Sequence, residues 1–201
     1  MKIIQRTILL FLLHFSIIVY GQTVYTSLPY FCGFEDQSEN DQWKLVQAKV
    51  GKNKWYVGST LDASLGTKSM LVSCDGGLSM TYTEEEYGAI AASRVFTLEP
   101  GTYDLSFDYK VGGEGEKTSV IDGLYLCLQP DTGKFQVPYN NLSIPDWLRN
   151  GKVKTFSDTH TWMSYKHTFT VSSKMNYRGS FVWRNDDKAV ANPSVAIDNV
   201  Q

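Results

Sequence analysis

The sequence predicts an all-β domain built as a two-sheet antiparallel β-sandwich of jelly-roll type, and three observations lead to this prediction. Aromatic residues account for 13% of the 201 residues, and aromatic side chains are enriched in strands. Apolar and polar residues alternate with a period of two along several runs, which is the pattern of a half-buried strand. The runs are short and separated by turns rich in glycine and aspartate, as in sandwiches and jelly rolls.

Two runs show this alternation most clearly. In Gly101–Val111 the apolar residues occupy every second position, and the residues between them are polar or charged. In Trp162–Val171 the same pattern recurs, and His167 falls among the apolar positions, so we expect it to pack rather than to act as a base. The stretch 129–160 has little regular pattern and is predicted to be a long loop. Seven shorter strands are also predicted: Trp43–Ala48, Lys54–Val57, Ser69–Ser73, Ala89–Thr97, Gly123–Leu128, Gly179–Arg184 and Ser194–Val200.

Composition limits the classes of partner. With 42% hydrophobic residues the chain has enough apolar material for a core, and its length suits one domain of roughly 150–200 residues. The formal net charge is −2 at pH 7, whereas binding to nucleic acid needs a basic stripe. We therefore expect no nucleic-acid partner.

The segment Met1–Gly21 has the composition of a secretory signal peptide. Lys2 and Arg6 precede an apolar stretch, and the segment ends in short or small residues. The apolar stretch of about 12 residues is short for a membrane span of roughly 20, so we expect cleavage before Gln22 and no membrane span in the mature chain. Without the two early charges, the 19 basic residues fall to 17 against 21 acidic ones, a net charge of −4.

The remaining residues, 22–201, are predicted to form a single domain, because no internal repeat or linker interrupts them. The predicted location is secreted, extracellular or on the outer cell surface. The chain ends directly on a strand-like segment, so continuation into further domains beyond Gln201 is left open.

The cysteines do not form a recognisable framework. Cys32, Cys74 and Cys127 are an odd number and lie far apart, and no C-x-x-C spacing is present, which argues against a structural zinc site. Cys127 lies in an apolar strand pattern and is expected to pack as a small hydrophobic residue. A disulfide between Cys32 and Cys74 is left open.

Catalytic signals are poor. After removal of the signal peptide only two histidines remain, His160 and His167. The E-x-D-x-x-E carboxylate pattern of jelly-roll glycosidases and the G-x-S-x-G nucleophile elbow are both absent. We therefore expect no enzyme and predict no catalytic residue.

Three aromatic residues outside the alternating faces are the candidates for ligand binding. Tyr139, Trp147 and Trp162 lie in or beside the long loop, where exposed rings stack on sugar faces or anchor a protein contact. In the alternative, Trp147 and Trp162 plug the ends of the sandwich. The other three tryptophans are expected in the core: Trp43, Trp55 and Trp183.

Eight motifs follow one another in order along nearly the whole mature chain. They are Leu28–Asp36, Trp43, Asn53–Gly58, Gly66–Ser69, Glu99–Tyr109, Trp162, Phe181–Asp186 and Pro193–Val200. None is specific alone, but the ordered set resembles the MAM-like jelly-roll domains of bacterial surface proteins, including the choice-of-anchor J group and the cleaved-adhesin domains of gingipain-type proteases. The resemblance implies a non-catalytic jelly-roll sandwich in a secreted or surface-attached protein.

Acidic residues near both ends of the chain suggest a cation site. Domains of the kind that this chain resembles often bind calcium or sodium where the first and last strands meet, which on this resemblance points to Glu35 and Asp198. Asp36 or Asp108 would complete the shell, since Ca²⁺ takes six to eight oxygen ligands. The ion, Ca²⁺, would have a structural role. In the alternative, the carboxylates are solvated or cap turns.

Two functions follow from these observations. The first is an adhesion or binding module that recognises a glycan or an extracellular host or matrix protein without catalysis. The alternative is a structural spacer in a larger surface protein, in contact with neighbouring domains and with no ligand of its own.

Overall fold

A computed structural model describes residues 26, 28–46, 51–84, 88–116, 119–131, 152–156 and 158–201. The described residues contain one short helix, α1 (Gln37–Asn40), and twelve strands. No helix among them is both long and apolar enough to cross a membrane. The strands are β1 (Lys44–Val46), β2 (Lys54–Ser59), β3 (Ser69–Ser73), β4 (Gly88–Leu98), β5 (Gly101–Val111), β6 (Gly115–Glu116), β7 (Ser119–Val120), β8 (Gly123–Pro130), β9 (Lys152–Phe156), β10 (Met163–Val171), β11 (Met175–Asn185) and β12 (Val195–Asp198).

Ten of these strands form two five-stranded antiparallel sheets. The first sheet has the order β1-β4-β11-β8-β9, the second has the order β10-β5-β12-β3-β2, and β6 pairs only with β7. The all-β, two-sheet prediction is therefore confirmed, and each of the nine predicted strands is present. Four of the described elements were not predicted. They are α1, strand β9, which lies inside the stretch assigned to a long loop, and strands β6 and β7, whose hairpin begins in the glycine-rich segment after β5.

The core lies between the two sheets and is rich in aromatic side chains. Phe107 of β5 is 1% exposed and its ring contacts four other rings. These belong to Tyr109, Phe156, Tyr165 and Phe181. Such contacts explain why the apolar positions of β5 point inward, since edge-to-face ring pairs add to the free energy gained by burial.

The predicted core tryptophans are confirmed. Trp43, Trp55 and Trp183 are 7%, 1% and 0% exposed. His167 also packs as predicted, because its ring stacks between those of Tyr165 and Phe169 at centroid distances of 6.5 and 6.3 Å.

The disulfide that the sequence left open is not formed. Cys32, Cys74 and Cys127 are all free. Cys32 instead exchanges two backbone hydrogen bonds with Val200, at 2.8 and 2.9 Å. Cys127 is fully buried, as predicted, and burial raises the pKa of its thiol to about 12.

Strand β5 carries the features that matter for function, because it pairs on both sides. It runs beside β10 from Gly101 to Tyr109 and beside β12 from Asp108 to Val111. The second pairing places Asp108 directly opposite Asp198. The polar side chains of β5 thus form the outer face of the second sheet.

Replacement of the central aromatic residue tests this account of the core. Phe107→Ala should lower the free energy of unfolding by about 3–5 kcal/mol, because it leaves a cavity among four rings. Equilibrium denaturation in urea measures the change. Met163→Ala is the control, since Met163 is 49% exposed and its loss should change stability by less than about 0.5 kcal/mol. Equal losses in the two variants would contradict a core centred on Phe107.

Candidate functional site

The last strand ends in a buried carboxylate that holds the loop between β2 and β3, residues 60–68, here called the covering loop. Asp198 is 0% exposed. Its Oδ2 accepts hydrogen bonds from the amides of Ser64 and Leu65 at 2.9 and 3.1 Å, and Oδ1 accepts one from the amide of Asn199 at 2.7 Å. Burial raises the pKa of Asp198 and these amides act against that shift. The three donors offset the cost of burying the group.

Glu35 binds the other end of the covering loop. Its Oε1 accepts from the amides of Thr67 and Lys68 at 2.6 and 2.8 Å, and its Oε2 accepts from the Thr67 hydroxyl at 2.8 Å. The bonds from Thr67 are the main reason that the pKa of Glu35 is lowered. Gly66 has φ of +76°, and a Cβ there would lie 2.4 Å from Glu35 Oε1, so a side chain at this position would break the contact.

Asp108 joins the covering loop to the second sheet. Its Oδ1 accepts a hydrogen bond from the Ser164 hydroxyl at 2.5 Å. Its Oδ2 accepts from the Ser64 hydroxyl and from the side-chain amide of Asn199, at 2.9 and 2.8 Å. Burial acts to raise the pKa of Asp108, but these three hydrogen bonds outweigh it and the pKa is lowered. Asp108 is therefore ionised at neutral pH and fixes three neighbouring polar groups.

Trp162, one of the predicted ligand-binding residues, contacts the same loop. Its Nε1 donates to Asp62 Oδ1 at 3.1 Å, and Asp62 Oδ2 forms an ion pair with Lys110 at 2.7 Å. The Trp162 side chain is half-buried, so part of its ring supports the covering loop. The other two predicted residues, Tyr139 and Trp147, lie outside the described residues.

The four predicted metal ligands do not converge. Asp108 and Asp198 lie opposite each other, and Glu35 reaches the covering loop from its other end. Asp36 instead caps α1, where its Oδ1 accepts from the amide and hydroxyl of Ser38, both at 2.8 Å. No three of the four bring carboxylate oxygens within 4.8 Å of one another. Among the described residues, only a different group of three acidic side chains does so.

The donors around Glu35 and Asp198 do not fit a cation in this conformation. Calcium binds carboxylate and carbonyl oxygens, whereas the covering loop presents N–H groups to both carboxylates. An ion between them would have to displace these hydrogen bonds. Calcium binding at these residues stays a prediction.

A groove of about 290 Å³ opens beside the covering loop on the outer face of β5 and β10. Its rim carries two strongly exposed apolar side chains, Phe31 at 59% and Leu65 at 68% exposure. The rest of its lining comes from the two strands and the last residues of the chain: Ser106, Phe107, Asp108, Ser164, Tyr165, Asn199 and Gln201. The volume lies just below the range of roughly 300–1,000 Å³ for small-molecule sites.

Phe31 stands between two grooves. A second one, of about 280 Å³, lies on its other side and is lined in part by Glu35, Asp36 and Glu39. The ring rests against Gly33, where an added Cβ would lie 3.3 Å from the ring's Cζ. Sequence reasoning missed Phe31, because its outward position follows from the burial of its neighbour Cys32, which only the structure shows.

No protein-family model matches the chain, and no curated protein matches its sequence. Solved structures of similar shape include the CBM22-1 xylan-binding domain of Xyn10C from Paenibacillus barcinonensis, with a TM-score of 0.45 and 13% identity over 86% of this chain and 90% of that one. The K1 cleaved adhesin domain of Lys-gingipain from Porphyromonas gingivalis W83 has a TM-score of 0.48 and 14% identity, and the match covers 85% of this chain and 95% of that one. A family 16 carbohydrate-binding module has a TM-score of 0.45 and 15% identity, and the match covers 80% of this chain and 89% of that one. At these TM-scores and identities the comparisons assign neither a family nor a ligand to this chain.

The role of Asp198 in holding the covering loop can be measured. Asp198→Asn keeps the size of the side chain but replaces one acceptor oxygen with an NH2 group that faces backbone N–H donors. The free energy of unfolding should therefore fall by about 1–3 kcal/mol, and proteases should cut within 60–68 faster. Urea denaturation and limited proteolysis measure the two effects. Asp104→Asn, at an exposed ion pair with Lys166 on the same sheet, should have little effect. An unchanged cleavage rate in Asp198→Asn would show that this carboxylate does not hold the loop.

Proposed function

We propose that this chain is a non-catalytic glycan-binding module and that the groove beside Phe31 holds the sugar. The observation that carries the proposal is an exposed aromatic ring set beside a row of fixed hydroxyl, carboxylate and amide groups. A pyranose ring has an apolar face of C–H groups and a rim of hydroxyls, so it needs both kinds of contact at once. Phe31 supplies the first kind, and Asp108, Ser164 and Asn199 supply the second.

The polar side of the groove is held in place before any ligand arrives. Asp108 accepts hydrogen bonds from Ser164 and Asn199, so both donors are oriented at the floor of the groove. A carboxylate offers about four lone-pair sites, and three described bonds leave one for a sugar hydroxyl. Fixed groups lose little conformational entropy when a ligand binds, which favours affinity from few contacts.

The dimensions of the groove favour a small polar ligand over a protein surface. A stable protein interface buries on the order of 1,000 Å² or more and has a hydrophobic centre. Here only Phe31 and Leu65 offer strongly exposed apolar surface around a polar floor. An extracellular host or matrix protein therefore fits this site less well than an oligosaccharide.

The proposal extends to the setting of the module. It includes export with removal of Met1–Gly21, and membership of the MAM-like jelly-roll domains, both of which rest on sequence patterns. Mass determination of the protein recovered from the producing cells tests the first point, since a chain that begins at Gln22 is expected. A mass that retains the first 21 residues would contradict it.

Glycan binding is tested on an array with the purified mature protein. Phe31→Ala should weaken binding about tenfold or more, corresponding to about 1.4 kcal/mol, without lowering the melting temperature, because the side chain is exposed. Leu78→Ala is the matched control, since Leu78 is a 77% exposed apolar residue on another loop and its loss should leave binding unchanged. Calorimetry with the best array ligand gives the affinities.

The outcomes separate the alternatives. Binding that survives Phe31→Ala but is lost in Tyr139→Ala or Trp147→Ala would place the ligand in the stretch 129–160 and overturn the groove. A chain that binds no glycan on the array but captures an extracellular matrix protein would instead be a protein-binding adhesin. A chain that binds neither would be a spacer.

A further inference from the structure

Three acidic side chains meet away from the groove, where β5 and β11 end and β8 begins. Glu114, Asp122 and Asp186 each place a carboxylate oxygen within 4.8 Å of the other two. Asp122 is 0% and Asp186 is 7% exposed, and Glu114 is partly exposed. None of the three lines the groove beside Phe31.

The backbone fixes these side chains relative to one another. The carbonyl of Glu114 accepts from the amides of Ile121 and Asp122 at 2.9 and 3.0 Å, and Asp122 Oδ1 accepts from the amide of Asp186 at 2.7 Å. Gly113 has φ of +84°, and a Cβ there would lie 2.4 Å from the carbonyl oxygen of Asp122. The closeness of the three carboxylates is therefore built into the chain path.

The negative charge of the group is not balanced by the described contacts. None of the described ion pairs includes a member of this group. Glu114 Oε2 is out of contact with solvent and has no hydrogen-bond partner among the residues that the structure describes. In the buried Asp186 carboxylate, Oδ1 accepts a hydrogen bond from the amide of Lys188 at 3.0 Å. No described hydrogen bond reaches Oδ2, so this oxygen is available to another partner.

Repulsion from the two neighbouring carboxylates adds to the effect of burial on Asp122. Burial, with additional repulsion from Asp186 and Glu114, raises its pKa to about 6, although bonds from the Tyr82 hydroxyl and the Asp186 amide act against the shift. Tyr82 donates to Asp122 Oδ2 at 2.7 Å. A cation among the three carboxylates would remove this repulsion and pair with Glu114 Oε2.

We propose that Glu114, Asp122 and Asp186 bind a hard divalent cation, and that calcium is the ion whose chemistry fits them. All the donors are oxygens, which excludes a typical zinc site with histidine or cysteine. Calcium accepts carboxylates, carbonyls and water in flexible geometry, whereas magnesium needs a near-ideal octahedron. The ion would tie the segments that follow β5 and β11 to the start of β8, and it is distinct from the calcium predicted at Glu35 and Asp198.

Terbium luminescence tests the site directly, because Tb³⁺ has the oxygen preference of calcium and is sensitised by nearby aromatic rings. The Tyr82 ring lies 4.9 Å from that of Trp183, centroid to centroid, and its hydroxyl touches Asp122. Excitation of the chelator-treated protein should give saturable Tb³⁺ emission that Ca²⁺ displaces. Ca²⁺ should also raise the melting temperature, because a ligand of the folded state stabilises it by mass action.

Glu114→Gln is the decisive variant, since the carboxylate oxygen it alters makes no described hydrogen bond and the fold should persist. The affinities for Tb³⁺ and Ca²⁺ should fall about tenfold or more, given that losing even an outer partner of a metal ligand costs about 10–100-fold. Glu35→Gln is the control and should leave both affinities unchanged.

Two results would overturn the proposal. If Glu35→Gln removes the response and Glu114→Gln does not, the ion binds at the covering loop. If the wild-type protein shows no response to either ion, the group binds no cation and the proposal is wrong; a higher melting temperature in Glu114→Gln would then identify the group as an unbalanced cluster of charges. Neither readout involves a glycan, so the result is independent of the proposed binding function.

Discussion

The alternation of side chains along β5 is the constraint on which the rest of this structure depends. Its apolar positions place Phe107 at the centre of the aromatic core, and its polar positions place Asp108 on the outer face. Because the side-chain period of a strand is two, a shift by one residue would exchange these faces and lose both at once. Pairing with β10 on one side and β12 on the other fixes the register.

Strand pairing brings carboxylates together at two places in the structure, and their surroundings differ. Asp108 and Asp198 lie opposite each other, but amide, hydroxyl and side-chain amide donors surround both, so hydrogen bonds offset the repulsion. Around Glu114, Asp122 and Asp186 the described part of the chain supplies fewer donors, and one buried oxygen accepts from none of them. In the first arrangement hydrogen bonds surround the carboxylate oxygens, whereas the second has the charge and the free oxygen that a cation would use.

The sequence predicted what depends on local pattern and missed what depends on long-range pairing. Strands with clear alternation, such as β5 and β10, were predicted close to their observed bounds. Strand β9 was missed because Lys152–Phe156 mixes two lysines and a threonine with only two apolar residues. Glu114 and Asp186 are 72 residues apart, and nothing local indicates that β8 and β11 pair so that their ends meet. The aromatic candidates chosen by loop position did not include Phe31, whose exposure follows from the backbone pairing of its neighbour Cys32 with Val200.

The covering loop links stability to binding. The hydrogen bonds that make Asp108 tolerable beside Asp198 are the same bonds that orient Ser164 and Asn199 in the groove. Ser64 donates to both carboxylates, through its hydroxyl and its amide, and the next residue, Leu65, forms the rim of the groove. A change that loosens the loop would therefore lose the rim and the order of the floor together. The hydrogen bonding of two facing carboxylates thus also shapes the surface that would receive a sugar.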